Sequence, residues 1–123
     1  MNHIKRYAIA SLILFFTDYV YIQFIKQHFI NQIMLVQKDI VKINYFAVFL
    51  CYVMLTVGFY YFAVMKRFSN LEIFMLGFMV YGVYETTNWA LFRDWNVQTV
   101  VIDTTWGGLL FLLTKIMYRF VMK

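Results

Sequence analysis

Between Ile43 and Met65 the chain runs for 23 residues without one charged side chain. As a helix this stretch is about 35 Å long, enough to cross the ~30 Å hydrocarbon core of a bilayer. A helix satisfies every backbone N–H and C=O within its own segment, so it can cross lipid where an open strand cannot. Three similar stretches accompany it: Tyr7 to Ile25, between Arg6 and Lys26; Leu71 to Phe92; and Val97 to Phe120. The composition agrees, with 63% hydrophobic and 14% charged residues and a mean hydropathy of +0.68. A soluble domain carries about 25% charged residues. The balance therefore excludes an ordinary soluble domain, and its hydrophobicity excludes a disordered chain. With Cys51 as the single cysteine, a disulfide framework and a thiolate zinc site are also excluded. The expectation is an all-α, integral-membrane, antiparallel four-helix bundle forming one domain over residues 1–123. Its spans are placed at about 7–25, 43–65, 71–92 and 97–120. The short connections after the second and third spans force antiparallel neighbours.

The longer connection has apolar residues at helical spacing (Phe29, Ile30, Ile33, Val36) beside His28, Asn31 and Gln32. It reads as an interfacial amphipathic segment over about 27–41. The alternative is a continuation of the first helix. Lys5 and Arg6 before the run Ala8–Phe16 resemble a secretory leader, but Thr17-Asp18-Tyr19-Val20 supplies no small-x-small cleavage site. The first stretch is therefore expected to remain as a span. Lys5, Arg6, Lys66, Arg67, Arg119 and Lys123 fall on one side of such a bundle, with Lys115 nearby. Lys26, Lys38, Lys42 and Arg93 fall on the other. The positive-inside bias then places both termini of this multi-pass protein in the cytoplasm. The net charge of +5 reads as orientation and lipid-surface charge. Split over two faces, it makes no nucleic-acid footprint. The expected partner is the lipid bilayer, with a homo-oligomer or other membrane proteins left open.

Each acid inside these spans needs an explanation. An Asp near a helix centre costs about 2.5–3.5 kcal/mol on the insertion scale, while each Leu, Ile, Phe or Val returns about 0.3–0.6. The apolar residues of the first span return ~3–6 kcal/mol by that scale. Asp18 cancels half or more of this and should face inward. Asp18 lies seven residues before Ile25, Glu85 seven before Phe92, and Asp103 six after Val97. At 1.5 Å per residue all three sit about 9–11 Å below one face, in a single layer.

Helical stripes support an inward reading. They are Gly77, Tyr81, Gly82, Glu85, Asn88 and Trp89 on the third span and Thr99, Asp103, Trp106, Gly107 and Leu110 on the fourth. Ser11, Phe15, Asp18 and Tyr21 align on the first, and Tyr45, Phe49, Tyr52, Thr56 and Tyr60 on the second. Gly82 and Gly107 permit close helix approach. The expected centre is Asp18, Glu85, Asn88 and Asp103, walled by Tyr21, Tyr52, Tyr84, Thr87, Trp89, Trp106 and Gly107.

Two carboxyls sharing a desolvated site do not both ionise easily and titrate as a unit. No Lys or Arg lies at their level, so the group is expected to hold a proton or a cation. The leading reading is a module that binds or transports a cation, amine or lipid headgroup, or relays protons. Asp18 and Asp103 would be the acceptors, Glu85 the proton-carrying partner and Asn88 the orienting donor. One alternative is a structural component of a larger membrane or virion-like assembly. There the acids stitch helices together through hydrogen bonds worth about 0.6–2 kcal/mol each. A second alternative is a small intramembrane enzyme using paired carboxylates. No catalytic residue is named, because Ser11 and Ser69 lie elsewhere and Cys51 reads as a packed core thiol. His3 and His28 sit near the interfaces and form no ligand pair. A metal site is not implied by a motif. Only the oxygens of Asp18, Glu85 and Asp103, with Asn88, offer a hard cation its ligands. No motif implies a cofactor. Tyr7, Tyr45, Trp95 and Tyr118 fit interfacial belts, and Lys66, Arg67 and Arg119 fit headgroup anchors.

The segment Tyr84-Glu85-Thr86-Thr87-Asn88-Trp89-Ala90, then Arg93, Trp95 and Asp103-Thr104-Thr105-Trp106-Gly107, carries a family likeness. With Asp18 and Tyr21 in the first span, the chain resembles the small membrane proteins catalogued as domain of unknown function 2177. Glu85 stands where that family usually has Asp. Asp94-Trp95-Asn96 replaces a Gly-Trp-Pro-like turn, and Tyr21 replaces a Trp. The resemblance implies a four-span bundle and supplies no reaction.

Overall fold

A computed structural model of the chain describes residues 2–123. The described residues form an all-α four-helix bundle without strands. α1 spans His3–Gln37 and α2 Tyr45–Phe59, prolonged by a π-helical stretch Tyr60–Met65. α3 spans Asn70–Leu91 and α4 Val97–Val121. Each helix begins at a side chain that accepts one of the free first-turn N–H groups. Asn2 takes the N–H of Lys5, Asn44 that of Ala47, and Asn96 that of Gln98. Ser69 and Glu72 complete a reciprocal capping box at the head of α3. Four polar residues placed just ahead of apolar runs therefore fix where the helices start.

α1, the continuous stretch Tyr45–Met65 and α4 are long and apolar enough to cross a membrane. α3 has the length, about 33 Å. Glu72, Glu85 and the Thr86-Thr87-Asn88 run keep it from offering an unbroken apolar stretch like those of the other three. Large apolar side chains such as Phe24, Met54 and Phe120 are 74–87% exposed, a surface suited to lipid contact. The stretch expected as a separate interfacial segment over 27–41 instead continues α1 to Gln37. No Gly or Pro interrupts it, and the helix stops only at Lys38, whose backbone is left-handed (φ 60°). At 35 residues α1 is about 52 Å long and overshoots a bilayer core by several turns.

α4 is the most buried helix. It packs along α3 for most of its length and along α1, while α2 rests mainly on α1. α3 and α4 approach until backbone meets backbone at Gly77 and Gly107. A Cβ on Gly77 would strike the Gly107 carbonyl and sit 2.9 Å from Phe111 Cβ, and one on Gly107 would strike the Tyr81 ring. The apolar core lies in the half nearer the termini and includes Leu14, Phe59, Ile73, Leu110 and Phe111. The sparse packing of α2 leaves an open apolar cleft of about 600 Å³ against α3. Cys51 lines this cleft and is exposed. The expectation of a packed core thiol is thereby corrected.

The two glycines set the α3–α4 distance, so Gly77→Ala or Gly107→Ala should destabilise the bundle by about 1–3 kcal/mol. Gly58 faces open space, with nothing within 4 Å of where a Cβ would stand. Gly58→Ala should therefore be neutral or stabilising by up to ~1 kcal/mol. Unfolding midpoints in detergent micelles test both.

Candidate functional site

The polar half of the bundle is built from the helix register. α3 and α4 are antiparallel, and Gly77 stands opposite Gly107. Tyr81 then stands opposite Asp103, and Glu85 opposite Thr99. Each Cα–Cβ bond leans toward its own helix N-terminus. In this pair Glu85 leans down and Asp103 leans up, which closes the ~6 Å offset between their backbones. The two carboxyls come within side-chain hydrogen-bonding reach. Glu85 is fully buried, and Asp18 and Asp103 are each 6% exposed.

The donors around these acids are neutral and mostly aromatic. Trp95 Nε1–H donates to Glu85 Oε1 at 2.9 Å. Tyr21 Oη–H donates to Asp103 Oδ1 at 3.4 Å. Trp106 Nε1–H donates to Asp18 Oδ1 at 2.9 Å, and Tyr52 Oη–H to Asp18 Oδ2. The Tyr21 and Trp106 rings stack at 4.3 Å and 5°, fixing both donors at once. The Tyr21 hydroxyl lies within electrostatic reach of all three acids. Glu85 Oε2 is buried with no hydrogen-bond donor among the described residues.

Asp18 pairs with Trp106 of α4, Tyr21 with Asp103, and Glu85 is level with Thr99. The expected depth was counted from Ile25, which is not where α1 ends, since the helix continues to Gln37. Among the described residues no three His, Cys, Asp or Glu side chains lie together as metal ligands would. Asp18, Glu85 and Asp103 thus do not form the ligand trio the sequence offered.

The expected wall residues divide. Tyr21, Tyr52 and Trp106 touch the acids, and Gly107 is buried in the α3–α4 contact. Tyr84 and Trp89 are 56% and 51% exposed. Thr87 is exposed and bonds back to the Val83 carbonyl. Asn88 is half-buried, and its side chain reaches the Tyr84 hydroxyl one turn away rather than an acid.

Three residues that tie into the polar half were missed. Trp95, expected in an interfacial belt, is buried and serves Glu85. Its place in the short connection just beyond α3 was the available signal. Gln32, on the overshooting end of α1, is 5% exposed. It donates to the Asp94 carbonyl at 2.6 Å and accepts from Asn96 N–H at 3.0 Å and from Thr99 at 3.2 Å. His28 Nε2 lies 2.7 Å from Thr99 Oγ1. Together Gln32 and His28 strap α1 over the turn that carries Trp95. Tyr118, another expected belt residue, is buried in the core, whereas Tyr45 is exposed.

A four-helix membrane bundle with acids on three helices matches one family model, described as a predicted membrane protein (DUF2177), over residues 3–118. The chain belongs to that family. No curated protein and no solved structure matches it. The family's description names a membrane location and no activity.

Removing the Trp95 or Trp106 N–H while keeping an aromatic ring leaves a buried carboxylate short of a donor. Trp95→Phe and Trp106→Phe should each cost about 1–3 kcal/mol. Trp89→Phe should stay within about 0.5 kcal/mol of wild type. Denaturant midpoints in one detergent compare the three.

Proposed function

We propose that this protein holds and passes protons inside the membrane, with the Glu85–Asp103 pair as the proton-bearing group. The observation that carries this reading is Glu85 Oε2, buried without a donor while its hydrogen-bonding neighbour is another carboxyl. Two carboxylates are acceptors only. One proton between them turns an unsatisfied contact into a hydrogen bond and removes one of two charges from a site without Lys or Arg. Proton sharing by adjacent acids is the ordinary outcome at such short range. The Tyr21 hydroxyl, bonded to Asp103 while its ring stacks on the Trp106 that serves Asp18, is the group placed to hand a proton between Asp103 and Asp18. Tyr52 and Trp106 occupy the positions around Asp18 that an ammonium ligand would need, which favours a proton over an amine or lipid headgroup. The excess of basic residues at the end with both termini favours a cytoplasmic placement of that end.

A second reading has a specific observation behind it. Asp18 of α1 bonds Tyr52 of α2 and Trp106 of α4, and Asp103 of α4 bonds Tyr21 of α1. The same bonds therefore stitch the bundle, as a structural membrane component would require. Glu85→Gln and Asp103→Asn keep size and acceptor oxygens while removing the exchangeable acid, and so separate the readings.

Infrared spectra of the detergent-solubilised protein near neutral pH should contain the carbonyl band of a protonated carboxylic acid, shifted by deuterium exchange. Glu85→Gln with Asp103→Asn should abolish it while helix content persists. A wild-type spectrum without that band removes the proton-holding reading and leaves the structural one.

A further inference from the structure

The opposite end of the bundle holds a second polar feature, built from cations. A cavity of about 490 Å³ opens between the π-helical end of α2, the turn into α3 and the last turns of α4. Arg67, Lys115, Arg119 and Ser69 line it, with Phe59 and Phe68 among its apolar walls and no carboxylate in its lining. Lys115 is only 7% exposed. Its ammonium donates to the Phe68 carbonyl at 2.9 Å and to Asn70 Oδ1 at 2.7 Å. Both partners are neutral, so the charge is solvated but not compensated. An ammonium has three donors, and one is left at the cavity wall. Glu72 is the acid whose field reaches Lys115. Its carboxylate is engaged by the Ser69 N–H at 2.8 Å in the capping box of α3.

Two departures from regular backbone frame the same wall. The last turn of α2 widens to π geometry, with Lys66 N–H bonded to the Tyr61 carbonyl at 2.9 Å and Phe68 N–H to that of Phe62 at 3.0 Å. Arg67 then takes a left-handed conformation (φ 55°), uncommon for a residue with a side chain. Such departures persist where the surrounding structure enforces them, and they gather at ligand sites. Here they make room between α2 and α4 beside a cation whose contacting partners are both neutral, Glu72 reaching it only through its field. Buried charges are normally paired in direct contact, and the cavity offers an anion that place.

We propose that this cavity binds a phosphate-bearing anion, in the bilayer the headgroup of an anionic phospholipid, with Lys115 as the buried counter-charge and Arg67 and Arg119 as the exposed donors. The guanidinium groups suit phosphate oxygens, which they engage through paired N–H donors. The apolar walls suit the glycerol and first methylenes of a lipid. A zwitterionic headgroup is disfavoured because its own cation would enter a site already holding three. This site shares no residue with the carboxylates and stands independently of the proton reading.

The test uses the full chain in a neutral detergent, titrated with phosphatidylglycerol, with phosphatidylcholine of the same acyl chains, or with inorganic phosphate, while thermal unfolding is recorded. Phosphatidylglycerol should raise the midpoint saturably and phosphatidylcholine should not. The double variant Arg67→Gln, Arg119→Gln changes two exposed side chains, should melt like wild type without lipid, and should weaken the response by about tenfold or more. Lys115→Met, which keeps the apolar stem, should lose the response as well. A saturable shift with inorganic phosphate that the lipid does not exceed assigns the same site to a soluble phosphate compound. Equal shifts with both lipids, or an unaltered titration in the arginine double variant, overturn the proposal.

Discussion

The contact between Gly77 and the Gly107 backbone brings α3 and α4 closer than side chains would allow, and the polar half is laid out from that point. With the register fixed there, Tyr81 faces Asp103 and Glu85 faces Thr99. The N-terminal lean of side chains in antiparallel helices then drives the two carboxyls together. A longer side chain at either glycine would part the helices and separate that pair before it touched any acid directly. α1 adds its own register against α4, with Asp18 at Trp106 and Tyr21 at Asp103. The acids thus meet their donors because of where glycines sit, some two turns away.

The overshoot of α1 gives the polar half its roof. Gln32 bonds through both its nitrogen and its oxygen, tying α1 to Asp94, Asn96 and Thr99, and this holds in place the turn from which Trp95 reaches down to Glu85. A buried amide left half-satisfied would be costly, and here it bonds on both its oxygen and its nitrogen. Glu85 is therefore closed from above by the turn and from the side by α4. Its second oxygen, Oε2, has no donor among the described residues.

The apolar stretches and the inward acids were legible because each follows from local chemistry: length against bilayer thickness, and the cost of a carboxylate in lipid. The rest depended on how helices cross. α3 meets α4 along the row Ile73, Gly77, Tyr81, Glu85, and α4 answers with Thr99, Asp103, Gly107, Phe111. These are four-residue steps, the ridges of one common packing class, which turn about 40° around the helix at each step. A stripe drawn straight along the axis therefore gathered Asn88, and the wall drawn beside it took in Tyr84, positions from which the contact had already turned away. Trp89 lies on the four-residue row, but the position facing it falls before α4 begins, so nothing covers it. Trp95 and Gln32 were hidden for another reason. Their burial depends on α1 continuing past the membrane-sized stretch, which apolarity alone does not reveal.

Charge is distributed in a way that packing alone does not explain. Asp103 and Lys115 lie on the same helix, both buried, and twelve residues hold them about 18 Å apart. At that separation neither neutralises the other. A bundle selected only for cohesion would pair them or replace both with apolar residues, since an apolar substitute for a buried ion pair is often neutral or stabilising. This chain instead keeps three acids in one half with only neutral donors, and one buried ammonium in the other half with only neutral acceptors. Neither half has its buried charge met by a contacting group of opposite sign. In the proposed readings a proton shared by Glu85 and Asp103 lowers the charge of the first, and an anion from the membrane surface answers Lys115 in the second, which Glu72 reaches only through its field.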